Sequence, residues 1–193
     1  MKRIYTHIVT SGDLQPQSLE DAIASLPDWR RRKALAFRFA IDRFTCAEAY
    51  LLLKQGLREL YGIEGDVEFA YGPAGKPSLA GFPGIHFSLS HCRTAVACVI
   101  SDREVGIDVE EIQYDEGLAA AVLNSAELEQ VRLSDDPALA FTSLWTRKES
   151  LLKLDGEGLR NDLRHVLDCS GDAIFETVGM PEGAAVLVSV CSR

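Results

Sequence analysis

Apolar positions in this chain recur with two different periods, and the points where the period changes divide it into elements. Residues 3–9 alternate β-branched and polar side chains and predict a strand; residues 19–26 predict a short helix. Over residues 42–61, Phe44, Ala47, Leu51, Leu52, Leu57 and Leu60 make one helical stripe, with Gly62 placed to stop it. Residues 67–71 read as a strand, and Gly72-Pro73-Ala74-Gly75-Lys76-Pro77 as a turn-rich loop presenting Lys76. Residues 85–90 and 94–100 read as an antiparallel pair joined across His91-Cys92-Arg93, and residues 104–112 as a further strand. Two short helices follow, the second with Asn124 and Glu127 in capping-box spacing. Asp136-Pro137 then opens a long helix to about Leu154, which Asp155-Gly156-Glu157-Gly158 stops. Strand candidates near 165–167, 173–178 and 185–191 close the chain.

The order strand, short helices, long helix, strands thus occurs twice, although the halves share no visible residue identity. It predicts an α/β composition of the α+β type: two similar lobes in a pseudo-two-fold arrangement, each a small, mainly antiparallel sheet packed on a long helix. The lobes are expected at residues 1–102 and 103–193, with a ligand cleft at their seam. An internal duplication of this kind favours a monomer.

Composition removes several function classes. A net charge of −9 argues against a general nucleic-acid binder, because phosphate neutralisation needs a basic face. No run approaches the roughly 20 apolar residues of a membrane span, and the amino terminus turns polar too soon for a signal peptide. Five cysteines, an odd number without a C-x-x-C pair, suit reduced packing thiols in a cytoplasmic protein rather than disulfides or zinc. Against the acidic background, Arg30-Arg31-Arg32-Lys33 with Arg38 and Arg43 form a basic cluster: either a solvated helix face or a seat for an anion such as phosphate.

The last long helix carries charge where a bland helix would carry leucine. Trp145, Glu149 and Lys153 are spaced four apart on one face, so an aromatic, a carboxylate and an ammonium project the same way. Upstream, in Gly106-Ile107-Asp108-Val109-Glu110, strand alternation sends Asp108 and Glu110 to one side. Their α-carbons stand roughly 7 Å apart, close enough to share one hard cation. Mg²⁺, which takes a few carboxylates plus water and phosphate, is the natural choice, with Glu149 as third ligand. Without a cation the three acids would repel and raise one another's pKa. Trp145 itself reads as core packing, and Glu149 with Lys153 could be a plain i,i+4 pair, which would leave Asp108 and Glu110 unexplained.

The pairing of Gly106-Ile107-Asp108-Val109-Glu110 with Trp145-Thr146-Arg147-Lys148-Glu149-Ser150-Leu151-Leu152-Lys153 closely resembles the signature of the 4′-phosphopantetheinyl transferases, in their larger two-lobed group. Gly75-Lys76-Pro77, Phe87-Ser88-Leu89-Ser90-His91 and the basic stretch from Arg30 to Arg43 follow in the family's order. The resemblance implies transfer of the phosphopantetheine arm of coenzyme A to a serine of an apo acyl or peptidyl carrier protein, with Mg²⁺ and a site between two related lobes. It implies Asp108, Glu110 and Glu149 as metal ligands, Glu149 and Lys153 as catalytic groups, and Arg43, Lys76, Ser90, His91, Lys148 and Lys153 at the coenzyme. Cys92 departs from the serine many relatives carry. The readings competing with an enzyme of this type are a catalytically silent module that binds coenzyme A or a carrier protein, and a phosphohydrolase using the same acids.

Overall fold

The computed structural model describes residues 1–156, 158, 162–179 and 183–193. In chain order the elements are β1 (Lys2–Ile8), α1 (Pro16–Ala24), α2 (Asp28–Leu35), α3 (Ala40–Tyr61), β2 (Phe69–Tyr71), β3 (Pro77–Leu79), β4 (His86–His91) and β5 (Ala95–Ser101). Then come β6 (Val105–Glu111), α4 (Glu116–Val122), α5 (Ser125–Leu133), α6 (Pro137–Asp155), β7 (Ile174–Val178) and β8 (Val186–Ser192). Arg30 to Lys33 of the basic cluster therefore lie on one helix, α2, with Arg30 and Ala34 as its buried residues. The strand expected at 165–167 is not formed. A 3₁₀ turn at Leu167–Cys169 stands there, led in by Val166, which is buried, and by His165 Nδ1, 2.7 Å from Asp168 Oδ2 across the i,i+3 spacing of a helical turn.

Two antiparallel sheets carry the fold, in the orders β1-β5-β4 and β6-β8-β7. In both, the strand that comes last in sequence is central, flanked by the first and the second-to-last. The shared order of elements expected from the sequence is thus also a shared strand topology, and the short β2-β3 ribbon is an addition to the first half.

Strand parity distributes the core. Val96, Cys98 and Ile100 of β5 join Tyr50, Leu53 and Leu57 of α3, while Ala95, Ala97 and Val99 meet Val105, Ile107 and Val109 of β6 and Val188 and Val190 of β8. The sheets pack on each other through one face, and each long helix covers an outer face. Parity then turns Gly106, Asp108 and Glu110 toward α6. Where β4 and β6 run side by side in different sheets, serine hydroxyls join them: the Ile107 N–H donates to Ser88 Oγ at 3.2 Å and the Val109 N–H to Ser90 Oγ at 3.4 Å.

All five cysteines are free, but they do not share one role. Cys46, Cys98 and Cys191 pack in the interior as expected; Cys92 is half-buried, and Cys169 ends the 3₁₀ turn in solvent.

At Gly106 the backbones of β6 and α6 meet with no room for a side chain, since a Cβ there would overlap Ser150 O and stand 2.5 Å from Leu154 N. Both obstacles are backbone and neither can swing aside. Gly106→Ala is expected to destabilise the fold by about 1 to 3 kcal/mol, as overpacking does, read as a lower urea midpoint at unchanged m-value; an unchanged midpoint would remove this contact as the constraint on α6.

Candidate active site

Local signals fix both ends of α6 before any ligand is considered. Asp136 Oδ1 accepts the Leu139 N–H at 3.0 Å, Pro137 occupies the first turn, and Gly156 at φ 69° takes the left-handed stop. Between these caps the face of Trp145, Glu149 and Lys153 lies on β6, as the spacing predicts. Lys153 Nζ donates to Asp108 Oδ1 at 2.6 Å and to Ser90 Oγ at 2.7 Å, and Ser90 Oγ donates to the same Asp108 oxygen at 2.8 Å. Trp145 Nε1 donates to Glu110 Oε1 at 3.2 Å. Trp145 is thus half-buried and bonded to an expected metal ligand, not simply a packing residue.

The acids are under-compensated. Asp108 is 2% exposed, yet among the described residues its Oδ2 has no partner, and Glu149 Oε1 is likewise buried and unpartnered. Buried carboxylate oxygens are normally bonded, since leaving one bare costs about 1 to 3 kcal/mol or more. Burial, then the Asp108 charge, pushes the Glu110 carboxyl up to about 7, against the pull of Trp145 and Lys153. Burial and Asp108 raise Glu149 as well. Two bare carboxylate oxygens and a third acid held up by its neighbours are the chemistry of a hard-cation site. Among the described residues, however, no three Asp, Glu, His or Cys side chains already form a metal-holding cluster. Lys153 stands on one oxygen of Asp108 instead, a positive charge in direct contact with that acid.

Around this centre the other expected residues divide. Lys76 reaches over the end of α6, its Nζ donating to Leu154 O at 2.6 Å, where a cation complements the carboxy-terminal dipole. Burial lowers its pKa, with Glu104 and Asp155 opposing. His91 ends β4; desolvation on its protein side, then the Lys153 ammonium, holds its imidazole below the ordinary value, and Arg30 adds to the effect while Asp42 opposes it. A cavity of about 330 Å³ opens beside Lys76, lined also by Phe87, Leu89, Glu149 and Lys153 among others.

Arg43 and Lys148 are not brought to this centre. Arg43 Nε donates to Phe37 O at 2.8 Å and lines a separate groove between α1, α2 and α3. Lys148 is wholly buried, with Nζ 2.8 Å from Glu127 Oε2 and donating to Leu163 O and Arg164 O at 2.9 and 3.0 Å. Of the four cations at 30–33, Arg30 is the buried one and donates to Cys46 O at 2.8 Å; among the described residues the buried Nε of Arg30, like that of Arg31, has no partner. Arg31 serves the carbonyls of Ala24 and Leu26. The one sequence signal that could have ranked these four was Ala34, four residues on, marking the Arg30 face as the inner one.

Residues 104–185 match the family model of the 4′-phosphopantetheinyl transferase superfamily. Among curated proteins, the chain is 34% identical over 135 residues to 4′-phosphopantetheinyl transferase psf-1 of Bacillus pumilus, covering 67% of this chain and 58% of the relative. It is 32% identical over 156 residues to 4′-phosphopantetheinyl transferase HetI of Nostoc sp., covering 75% and 66%. To 4′-phosphopantetheinyl transferase Sfp of Bacillus subtilis it is 26% identical over 134 residues, covering 67% and 60%. The matches thus span about three fifths of the relatives' own length.

The raised Glu110 pKa has a stability consequence. Between the unfolded value near 4.5 and about 7 the folded state binds more protons than the unfolded one, so stability falls as pH rises through that window and levels above it. In metal-free buffer the unfolding free energy is expected to drop by on the order of 1 to 3 kcal/mol across this range. Glu110→Gln should flatten most of the slope in urea titrations at several pH values; a slope identical to wild type would place the repulsion elsewhere.

Proposed function

We propose that this chain, which belongs to the 4′-phosphopantetheinyl transferase superfamily, transfers the phosphopantetheine arm of coenzyme A to a serine of an apo acyl or peptidyl carrier protein, releasing adenosine 3′,5′-bisphosphate. The observation that carries this reading is the pair of bare, buried oxygens, Asp108 Oδ2 and Glu149 Oε1, on the two elements that bear the signature. Asp108, Glu110 and Glu149 would hold Mg²⁺, which when bound neutralises and polarises a pyrophosphate.

The chain's own groups supply the rest. The serine oxygen attacks the phosphorus carrying the pantetheine arm, a P–O bond forms there, and the bond to the adenosine-side phosphate breaks with its electron pair. Glu149 takes the serine proton as general base. Charge building on the leaving phosphate is met by Lys153, whose compact ammonium already serves an anion at Asp108. Lys76, His91 and Arg30 supply cationic or hydrogen-bonding groups for the nucleotide half, and Ser90 fixes Lys153 and Asp108 relative to each other. In this reading the coenzyme groups come from residues 1–102 and the acids from 103–193, so one chain holds one complete site and works as a monomer in the cytoplasm. Among the described residues no helix is long and apolar enough to cross a membrane.

Incubating the protein with coenzyme A, Mg²⁺ and a panel of apo carrier proteins should add a phosphopantetheine mass to a carrier serine, detected by mass spectrometry. No adduct on any carrier, in a folded sample, would favour a binding module, and breakdown of coenzyme A without a carrier would favour a phosphohydrolase. Glu149→Gln should lower turnover by about 10² to 10⁴ with a melting temperature at or above that of the wild type, because it removes a buried charge. Near-normal rates in that variant would sink the assignment of Glu149 as base.

A further inference from the structure

The signature helix places two lysines near the acids in sequence, Lys148 and Lys153, and the fold uses them in opposite ways. Lys153 is partly exposed and faces Asp108. Lys148 is 0% exposed, and three acceptors meet its ammonium: Glu127 Oε2, Leu163 O and Arg164 O, at 2.8 to 3.0 Å. An ammonium has three protons to give, and here each has a protein acceptor. A phosphate could reach it only by displacing one of these and opening the interior.

The acceptors come from two parts of the chain. Glu127 belongs to α5, where it also closes the capping box: the Asn124 N–H donates to the same Oε2 at 2.9 Å, and the Glu127 N–H donates to Asn124 Oδ1 at 2.9 Å. Leu163 and Arg164 belong to the segment that follows α6, and the Asn124 side chain reaches Arg164 O as well. Lys148 therefore joins α6 to the start of α5 and to the returning chain at one buried point. A second polar tie lies about 200° away round the helix, between Thr146 Oγ1 and Ser189 Oγ of β8 at 2.7 Å. With the close backbone contact at Gly106, these ties fix how far α6 is rolled about its own axis.

We propose that Lys148 is a positioning residue for Glu149, setting the roll of α6 through Glu127 and the carbonyls of Leu163 and Arg164, and that it makes no contact with coenzyme A. Adjacent residues on a helix point about 100° apart, so the residue that anchors one side dictates where its neighbour aims. With side chains about 5 to 6 Å from the axis, a roll of about 10° moves a carboxylate by about 1 Å, enough to cost about 10²-fold when the group must meet a reacting proton.

The kinetic test rests on the transferase reading; the structural test does not. Lys148→Met and Glu127→Gln are each expected to lower kcat for carrier modification by about 10²-fold while KM for coenzyme A stays within about twofold. The double variant should lose no more than either single one, because both act through one interaction. A tenfold or larger rise in the KM for coenzyme A in Lys148→Met, with Glu127→Gln behaving as wild type, would make Lys148 a ligand contact and overturn the proposal. So would unchanged kcat in both. Independently of any activity, a crystal structure of Glu127→Gln or Lys148→Met, whichever folds, should show α6 turned and Glu149 displaced by about 1 Å relative to Asp108. Glu149 unmoved would end the positioning role even if the wild type proves to be an active transferase, and a displaced Glu149 in a wild type without transferase activity would uphold the positioning while refuting the function.

Discussion

Backbone-to-backbone contact between β6 and α6 at Gly106 is the constraint from which the site follows. Because nothing stands between the strand and Ser150 or Leu154, the helix lies close enough for side chains two residues along β6 to reach it. Asp108 meets Lys153 and Glu110 meets Trp145 within that narrow gap. A normal helix-on-sheet separation of about 10 Å would leave these groups to solvent. Held this close, they lose water, and the loss shows as a Glu110 carboxyl pushed up to about 7. The acids are thus kept in a state that a divalent cation would relieve, and the energy for this comes from the apolar layer beneath, where Ile107 and Val109 are fully buried.

The seam between the halves is polar where it matters and apolar elsewhere. Ser88 and Ser90 substitute hydroxyl acceptors for the carbonyls a strand partner would offer, and Ser90 has a further task, donating to Asp108 and receiving Lys153. One hydroxyl consequently connects β4 of the first half, β6 of the second and the carboxyl end of α6. Lys76 makes a separate bridge of the same sense, from the first half onto the last turn of α6. Movement of one half against the other would therefore be felt at the acids and at the cavity together.

Much of this was legible along the chain because it depends on period and on local chemistry. The parity of Asp108 and Glu110, the four-residue stack on α6, the Asn124 capping box and the Asp136-Pro137 start are all short-range statements, and each is found. What escaped depends on elements far apart. Lys148 has no local feature that marks it as buried: one acceptor lies on α5, the other two beyond the end of its own helix, and the nearest cue was only that it faces away from Trp145. Arg43 sits in the basic stretch but is occupied by the carbonyl of Phe37, a turn chemistry no charge pattern reveals. The 165–167 segment carries Val166 and Leu167, which suggest a strand, yet the chain turns there, with a histidine–aspartate pair at i,i+3 and Val166 itself buried.

Strand β5 is buried along its entire length, one face against α3 and the other against the opposite sheet. A half standing alone would leave Ala95, Ala97 and Val99 bare, so a unit of this kind needs a second to cover it. If the second were an identical copy, every feature at the junction would occur twice by symmetry, and acids and cations would have to share one set of positions. Linking two non-identical units in a single polypeptide lifts that restriction. One can keep Asp108 and Glu110 on its strand while the other keeps Lys76 and His91 on its loop and strand end, and the price of this freedom is one such pairing per molecule where a symmetric pair would have two.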